Sequence, residues 1–103
     1  MKITVLTPDR EIFQGNIESI KVPGVDGEFQ ILNNHAPIVS ALEAGKVTIV
    51  TATGAHRYFH EESGEVREEE AAGKKLVYQV SGGFIEVLNN EVSLLLSGIK
   101  TAA

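Results

Sequence analysis

"FIEVLNNEVSLLL", residues 84–96, is the stretch that decides the fold. Asn89-Asn90 separates two runs rich in Phe, Ile, Val and Leu, and asparagine tolerates the positive φ angles that a tight hairpin turn requires. Apolar residues at alternate positions have the period of a strand, and "LLL" at 94–96 is apolar on both faces, which predicts a last strand that is central or covered. The same signals continue outward along the chain. Stretches rich in Val, Ile, Thr and Phe predict strands near Ile3 to Thr7, Ile12 to Gly15, Ile17 to Val22, Glu28 to Leu32, Ile38 to Leu42, Lys46 to Ala52, Leu76 to Ser81, Phe84 to Leu88 and Val92 to Leu96. Asp26-Gly27 marks a second hairpin, and "KVTIV" places Val47 and Ile49 on one face with Thr48 and Val50 on the other. Many short antiparallel strands with one apolar face are most simply buried by laying two sheets over each other. The sequence therefore predicts an all-β sandwich or flattened barrel, with Phe13, Phe29 and Phe84 in its core.

The 103 residues are expected to form one domain, 1–103, around one core. With 43% hydrophobic and 22% charged residues, the composition is that of a globular protein rather than a disordered or fibrous one. Cysteine is absent, which excludes a disulfide framework, a thiolate metal site and a cysteine nucleophile. A net charge of −5 and the lack of a basic run argue against nucleic acid or an anionic membrane surface as the direct partner. No apolar run approaches the roughly 20 residues that span a bilayer, and the apolar part of "MKITVLTP" is too short for a signal peptide. The first strand is expected to begin at once.

"HEESGEVREEEAAGKK", residues 60–75, breaks the strand pattern and holds six of the fourteen acidic residues. It reads as an exposed acidic loop excursion: the solvated tip of a long hairpin or, in "EVREEEAA", about two helical turns stopped by Gly73. On a helix, His56 and His60 of "HRYFHEE" would share a face, with Glu61 as a third group for a small metal-dependent barrel enzyme. On a strand, where "AHRYFHE" reads better, the two imidazoles lie about 13 Å apart and cannot share an ion. There is no His-x-His pair and no serine nucleophile elbow. "SGG" at 81–83 lacks the following helix of a phosphate-binding loop and marks a bulge or a tight crossing of backbones instead. No catalytic, cofactor-binding or metal-ligating residue is assigned.

Taken in order, "LTPDREIFQG" at 6–15, "IKVPGVDGEFQILNNHAPIVSALEAG" at 20–45 and "VSGGFIEVLNNEVSLLLSG" at 80–98 resemble the N-terminal domain of the ε subunit of F-type ATP synthases. The matching features are Phe13 and Gly15 after the first strand, Gly24 and Gly27 in a hairpin, the His35-Ala36-Pro37 turn, Gly45, and Ser81-Gly82-Gly83 leading into Phe84. The resemblance implies a ten-stranded β-sandwich with no chemistry of its own, at the foot of the rotating central stalk. Its partners would be the γ subunit and the polar loops of the membrane c-ring, and its task to carry ion-driven rotation into ATP synthesis. The implied location is the cytoplasmic face of a bacterial plasma membrane, or the stromal side of a thylakoid, with membrane association only through the complex. Most bacterial and plastid members continue into an inhibitory helical hairpin with ATP-binding residues, and no positions here match it. No cofactor and no C-terminal helical domain are expected.

Carried over position by position, the resemblance puts Gly27 and Glu28 beside the c-ring loops and His35, Ala36 and Pro37 at the γ interface. Pro37 fixes its own φ and restricts Ala36 to extended conformations, so the turn presenting His35 should lose little entropy on docking. The residues alone leave a second reading of each: His35 fills or caps a turn, and Glu28 is a solvent-facing strand residue. The alternative function is a stand-alone β-sandwich binding module for a peptide or sugar. A sugar site is disfavoured by the absence of Trp and by only two Tyr and four Phe.

Overall fold

The computed structural model describes residues 1–60, 63–70 and 72–101, with backbone alone for residues 60, 100 and 101. Eleven strands succeed one another: β1 (Lys2–Leu6), β2 (Glu11–Gly24), β3 (Gly27–Leu32), β4 (Ile38–Leu42), β5 (Gly45–Thr51), β6 (Ala55–His60), β7 (Glu65–Glu70), β8 (Lys75–Val80), β9 (Gly83–Leu88), β10 (Glu91–Leu96) and β11 (Ile99–Thr101). The all-β class and the layered architecture are as the sequence predicts. The count among the described residues is eleven, including the three-residue β11.

One strand joins the two layers. The sequence reads as separate strands at 12–15 and 17–22, but β2 runs unbroken for fourteen residues. Its first half lies between β1 and β6, with Lys2 opposite Asn16 and Tyr58 opposite Phe13. Its second half lies between β3 and β5, with Ile20 facing Ile31 on one side and Ile49 on the other. A register shift between Ile17 and Ser19 separates the halves. Phe13, Gly15 and Ile17 are buried before it, whereas Ile20, Val22 and Gly24 are buried after it. An extra residue moves every later side chain to the opposite face of the strand, so one strand points into the core from both layers.

One layer runs β7-β6-β2-β1-β10-β9-β4, and the other β3-β2-β5-β8-β11. A single pair, Gly24 with Leu42, links β4 back to β2. Between the layers lie Ile3, Val5, Phe13, Ile17, Ile20, Ile31, Ile49, Ile85 and Leu94, all at 0–1% exposure. Burying an aliphatic or aromatic side chain of this size is worth about 1.5–3 kcal/mol, so these positions dominate the favourable side of folding. Tyr78, packed against the cluster, has its phenol pushed up to about 12 by desolvation and remains neutral at ordinary pH.

Both predicted hairpins form, although the first turns on Val25-Asp26 rather than Asp26-Gly27, with Gly27 opposite Gly24. Asn89 and Asn90 take φ of 51° and 61°, and Leu88 pairs with Glu91 across them. Gly82-Gly83 is a tight crossing: a Cβ at Gly83 would strike the Leu95 carbonyl. β10 is central, between β1 and β9, as "LLL" implies, but only Leu94 and Leu96 face inward. Of the three phenylalanines read as core, Phe13 is fully buried and Phe29 packs against the cluster. Phe84 is 58% exposed, because Ile85 and Val87 take the inward face of β9 and strand alternation leaves Phe84, Glu86 and Leu88 outside.

The acidic excursion is a strand rather than helical turns. "EVREEE" forms β7, antiparallel to β6, with every residue but Glu69 exposed. Charged side chains along this outer strand discourage further pairing. The hairpin is fastened to β2 by His56, which is 2% exposed and tilted against Phe13 with ring centroids 5.2 Å apart. His56 Nε2 donates to Glu69 Oε1 at 3.2 Å, and Lys74 Nζ donates to the same carboxylate at 2.5 Å. Among the described residues, Nδ1 of His56 is buried without a partner. Further along β6, Arg57 reaches Glu11 at 3.2 Å and also bonds Gln14, while the Arg10 guanidinium lies 4.2 Å over the Phe59 ring.

Gly15 makes room for this packing, since a Cβ there would collide with Cβ and Cα of His56. Gly15→Ala should destabilise the fold by about 1–3 kcal/mol through overpacking. A Gly15→Ala/His56→Gly double-mutant cycle in urea should return favourable coupling; additive effects would contradict the contact. The hairpin should also respond to acid. The Lys74 hydrogen bond, followed by the charges of Lys74 and His56, holds Glu69 below its ordinary value of 4.5 against an opposing desolvation. A lowered folded value means that the stabilisation is complete above pH 4.5 and is lost as pH falls through the depressed value. Amide exchange in β6 and β7, corrected for intrinsic rates, should accelerate in that acid window, and Glu69→Gln should remove the dependence.

Candidate partner interface

The two sequence-predicted contact elements sit at opposite ends of β3. Glu28 is its second residue and His35 follows its last by three, so at about 3.4 Å per residue roughly 14 Å of strand lies between Glu28 and the start of the turn that holds His35. The structure does not bring them together.

At one end, Val25 and Asp26 form the tip of the β2–β3 hairpin, and Gly27 opens β3 with φ 123°. Val25 is 53% exposed, and Glu28 is exposed with Lys21 Nζ 4.0 Å away. An ion pair this exposed adds about 0–1 kcal/mol, so Glu28 is free to change partner at little cost. The tip is held by backbone bonds to the end of β4 and the residue after it: Val25 N–H donates to the Ala41 carbonyl at 3.2 Å, and Glu43 N–H to Pro23 at 2.9 Å.

At the other end, His35-Ala36-Pro37 connects β3 to β4. His35 N–H donates to the Leu32 carbonyl at 3.2 Å, and Asn34 just before it takes φ 63°. His35 Nδ1 lies 2.8 Å from the Ala36 carbonyl. A carbonyl only accepts, so Nδ1 carries the proton and Nε2, without a bond among the described residues, is an open acceptor. The half-buried ring is thus pinned by its own backbone, while Ala36 and Pro37 are exposed beside it.

Between these ends lies a surface that sequence reasoning missed. The outer face of β4, β9 and β10 exposes Val39 at 71%, Phe84 at 58%, Leu88 at 51% and Leu95 at 49%. Phe84 pairs with Leu95 on one side and Ala41 on the other, forming an apolar row across three strands. Leu6 of β1 extends that row beyond Leu95. Leu88 and Val39 carry the face toward the His35 turn. Exposed apolar surface of this extent, here interrupted by Glu86 opposite Val39, is of the kind that contacts between molecules use. The signal was legible in the alternation: once Ile85, Val87, Leu94 and Leu96 are inside, Phe84, Leu88 and Leu95 must be outside.

The metal reading finds no support. His56 and His60 lie on a strand, and His56 is engaged with Glu69. Among the described residues no three of His, Asp and Glu are grouped to hold an ion. Glu61 and the His60 side chain lie outside the described residues. Among the described residues, a recess of about 570 Å³ beside Gly45, Gln79, Gly98 and Ile99 offers only Ser81 as a hydroxyl and has no acid or base in its wall.

Residues 1–64 match the family described as "ATP synthase, Delta/Epsilon chain, beta-sandwich domain". The ATP synthase epsilon chain of Chlorobium limicola is 32% identical over 99 residues, covering 96% of this chain and 91% of that one. The epsilon chain of Salinibacter ruber is 29% identical over all 103 residues, of which this chain spans 62% of the relative's length. A chain in the Euglena gracilis mitochondrial ATP synthase structure, which includes OSCP, F1 and the c-ring, superposes with a TM-score of 0.70. That similarity covers 95% of this chain and 51% of the other at 23% identity, which speaks for the fold alone. With the family pattern spanning residues 1–64 and the Chlorobium relative spanning nearly the whole chain, this protein belongs to the family of ATP synthase delta/epsilon β-sandwich domains.

Proposed function

We propose that this chain is a non-catalytic rotor element of an F-type ATP synthase, binding γ with one surface and the c-ring loops with another so that ion-driven rotation is passed on. The uncovered apolar face of β4, β9 and β10, continuous with the His35 turn, carries the reading. That face is assigned to γ, with His35, Ala36 and Pro37 at its margin and Val39, Phe84, Leu88 and Leu95 as its body. The opposite hairpin tip, with Gly27 and Glu28, is assigned to the polar c-ring loops. The location that follows is the cytoplasmic side of a bacterial plasma membrane, with attachment to the membrane through the complex.

Two contact elements on opposite ends of one sandwich suit a coupling part. Close-packed cores deform little under load, so displacement at one end is transmitted to the other. A free-standing peptide-binding module would also use an apolar face, but it has no need of a second, polar contact at the far end of β3.

Purified chain should co-isolate with the cognate γ subunit and with detergent-solubilised c-ring, and failure with both overturns the proposal. Phe84→Ser and Leu95→Ser should each weaken γ binding by about tenfold or more, as expected for anchors of an interface centre. Because both side chains are about half exposed, unfolding free energy should fall by less than about 1 kcal/mol. Glu28→Lys should leave γ binding intact and weaken c-ring association at low salt, an effect that fades as ionic strength rises. Equal loss of both partners would contradict the division of the two surfaces.

A further inference from the structure

Asn90 lies on the β9–β10 turn, 55 residues beyond His35 in the chain, yet its side chain is bonded to the turn that presents His35. Asn34 N–H donates to Asn90 Oδ1 at 2.7 Å, and Asn90 Nδ2 donates to Asn33 Oδ1 at 2.8 Å. The N-terminal amine of Met1 donates to the same Asn33 oxygen at 3.2 Å. Both backbones at this junction are left-handed, Asn34 at φ 63° and Asn90 at 61°. Side chains other than glycine visit that region at a cost, so a turn built on it holds one shape only where neighbours fix it. The sheet brings the two turns together: Ile38, which opens β4, pairs with Val87, next to the end of β9.

We propose that Asn90 is a positioning residue for partner docking, its amide holding the His35-Ala36-Pro37 turn in the conformation that a partner meets. This rests on the assignment of that turn to γ. Both ends of the Asn90 amide are used in complementary roles: its oxygen takes the backbone N–H that precedes His35, and its nitrogen ties down the residue before that. A turn held this way does not have to be ordered when the partner arrives, and preorganisation of that kind raises affinity without adding contacts. Asn89, its neighbour in the same turn, makes no such bond among the described residues and serves as the control.

The full chain is tested as Asn90→Gly, Asn90→Asp, Asn89→Gly and His35→Ala. Glycine at 90 keeps the left-handed turn and removes both bonds; aspartate keeps the acceptor for Asn34 N–H and sets a carboxylate oxygen in place of the donor to Asn33 Oδ1. Two readouts are taken well below the melting temperature: amide exchange at Asn34, and affinity for purified cognate γ. Asn90→Gly should expose the Asn34 amide and weaken γ binding about fivefold, the value of one neutral hydrogen bond. Asn90→Asp should restore most of the Asn34 protection and affinity, and Asn89→Gly should change neither. If Asn90→Gly lowers only the melting temperature and leaves affinity and exchange as in the parent, the positioning role is overturned while His35→Ala still weakens binding. If His35→Ala binds γ as well as the parent does, the docking assignment itself fails and takes the positioning role with it.

Discussion

The register shift between Ile17 and Ser19 is the constraint on which the two layers depend. Without it, the fourteen residues of β2 would present one uniform face, and a strand that buried Phe13 and Ile17 would turn Ile20 and Val22 toward solvent. Four large apolar side chains would then be divided between the core and water. Misplacing two of them costs about 3–6 kcal/mol by the usual burial values, a large share of the stability of a small domain. With the shift, β2 belongs to both sheets, and its hairpin with β3 sets the Glu28 tip beside the end of β4. The same strand carries Gly15, over which the β6–β7 hairpin is packed. Core, hairpin tip and appended hairpin are therefore all referenced to one strand.

Alternation made most of the strands legible, but it fixes an element's two faces and not which one is buried. The "FIEVL" run has apolar residues on both faces, and Phe84 looks like core until Ile85 and Val87 are known to be inside. The informative residue was Glu86, whose carboxylate marks the outer face it shares with Phe84 and Leu88. The β2 bulge was hidden for a related reason. A shift in buried parity between Ile17 and Ile20 reads as the end of one strand and the start of another, since nothing local separates a bulge from a turn. Asn89-Asn90 was readable because its requirement is intrinsic to the residues: both must reach positive φ, and both do.

The β6–β7 hairpin shows where local preference loses. "EVREEEAA" is made of good helix formers, and in isolation glutamate favours helix over strand. Helix propensity differences are a few tenths of a kcal/mol per residue, and they are outweighed here by pairing along the whole of β6 and by one buried imidazole. His56 is what the sequence could not expose. Its role depends on Gly15, forty-one positions earlier, being too small to exclude it, and on Glu69 arriving from the opposite strand. Such a cluster exists only once three separate segments have paired.

The proposed docking divides its work unevenly between the two ends. Four exposed apolar side chains on β4, β9 and β10 have roughly half or more of their surface still to bury, and each would contribute on the order of 1 kcal/mol on being covered. Glu28 has only an exposed ion pair to exchange for another, worth less than about 1 kcal/mol. Affinity would then reside on the apolar face, and the acidic tip would set orientation and salt sensitivity. That division suits a part that turns with its shaft. The asparagine pair beside His35 acts at the margin of the stronger contact, where a turn already in shape spares the interface the entropy of ordering it.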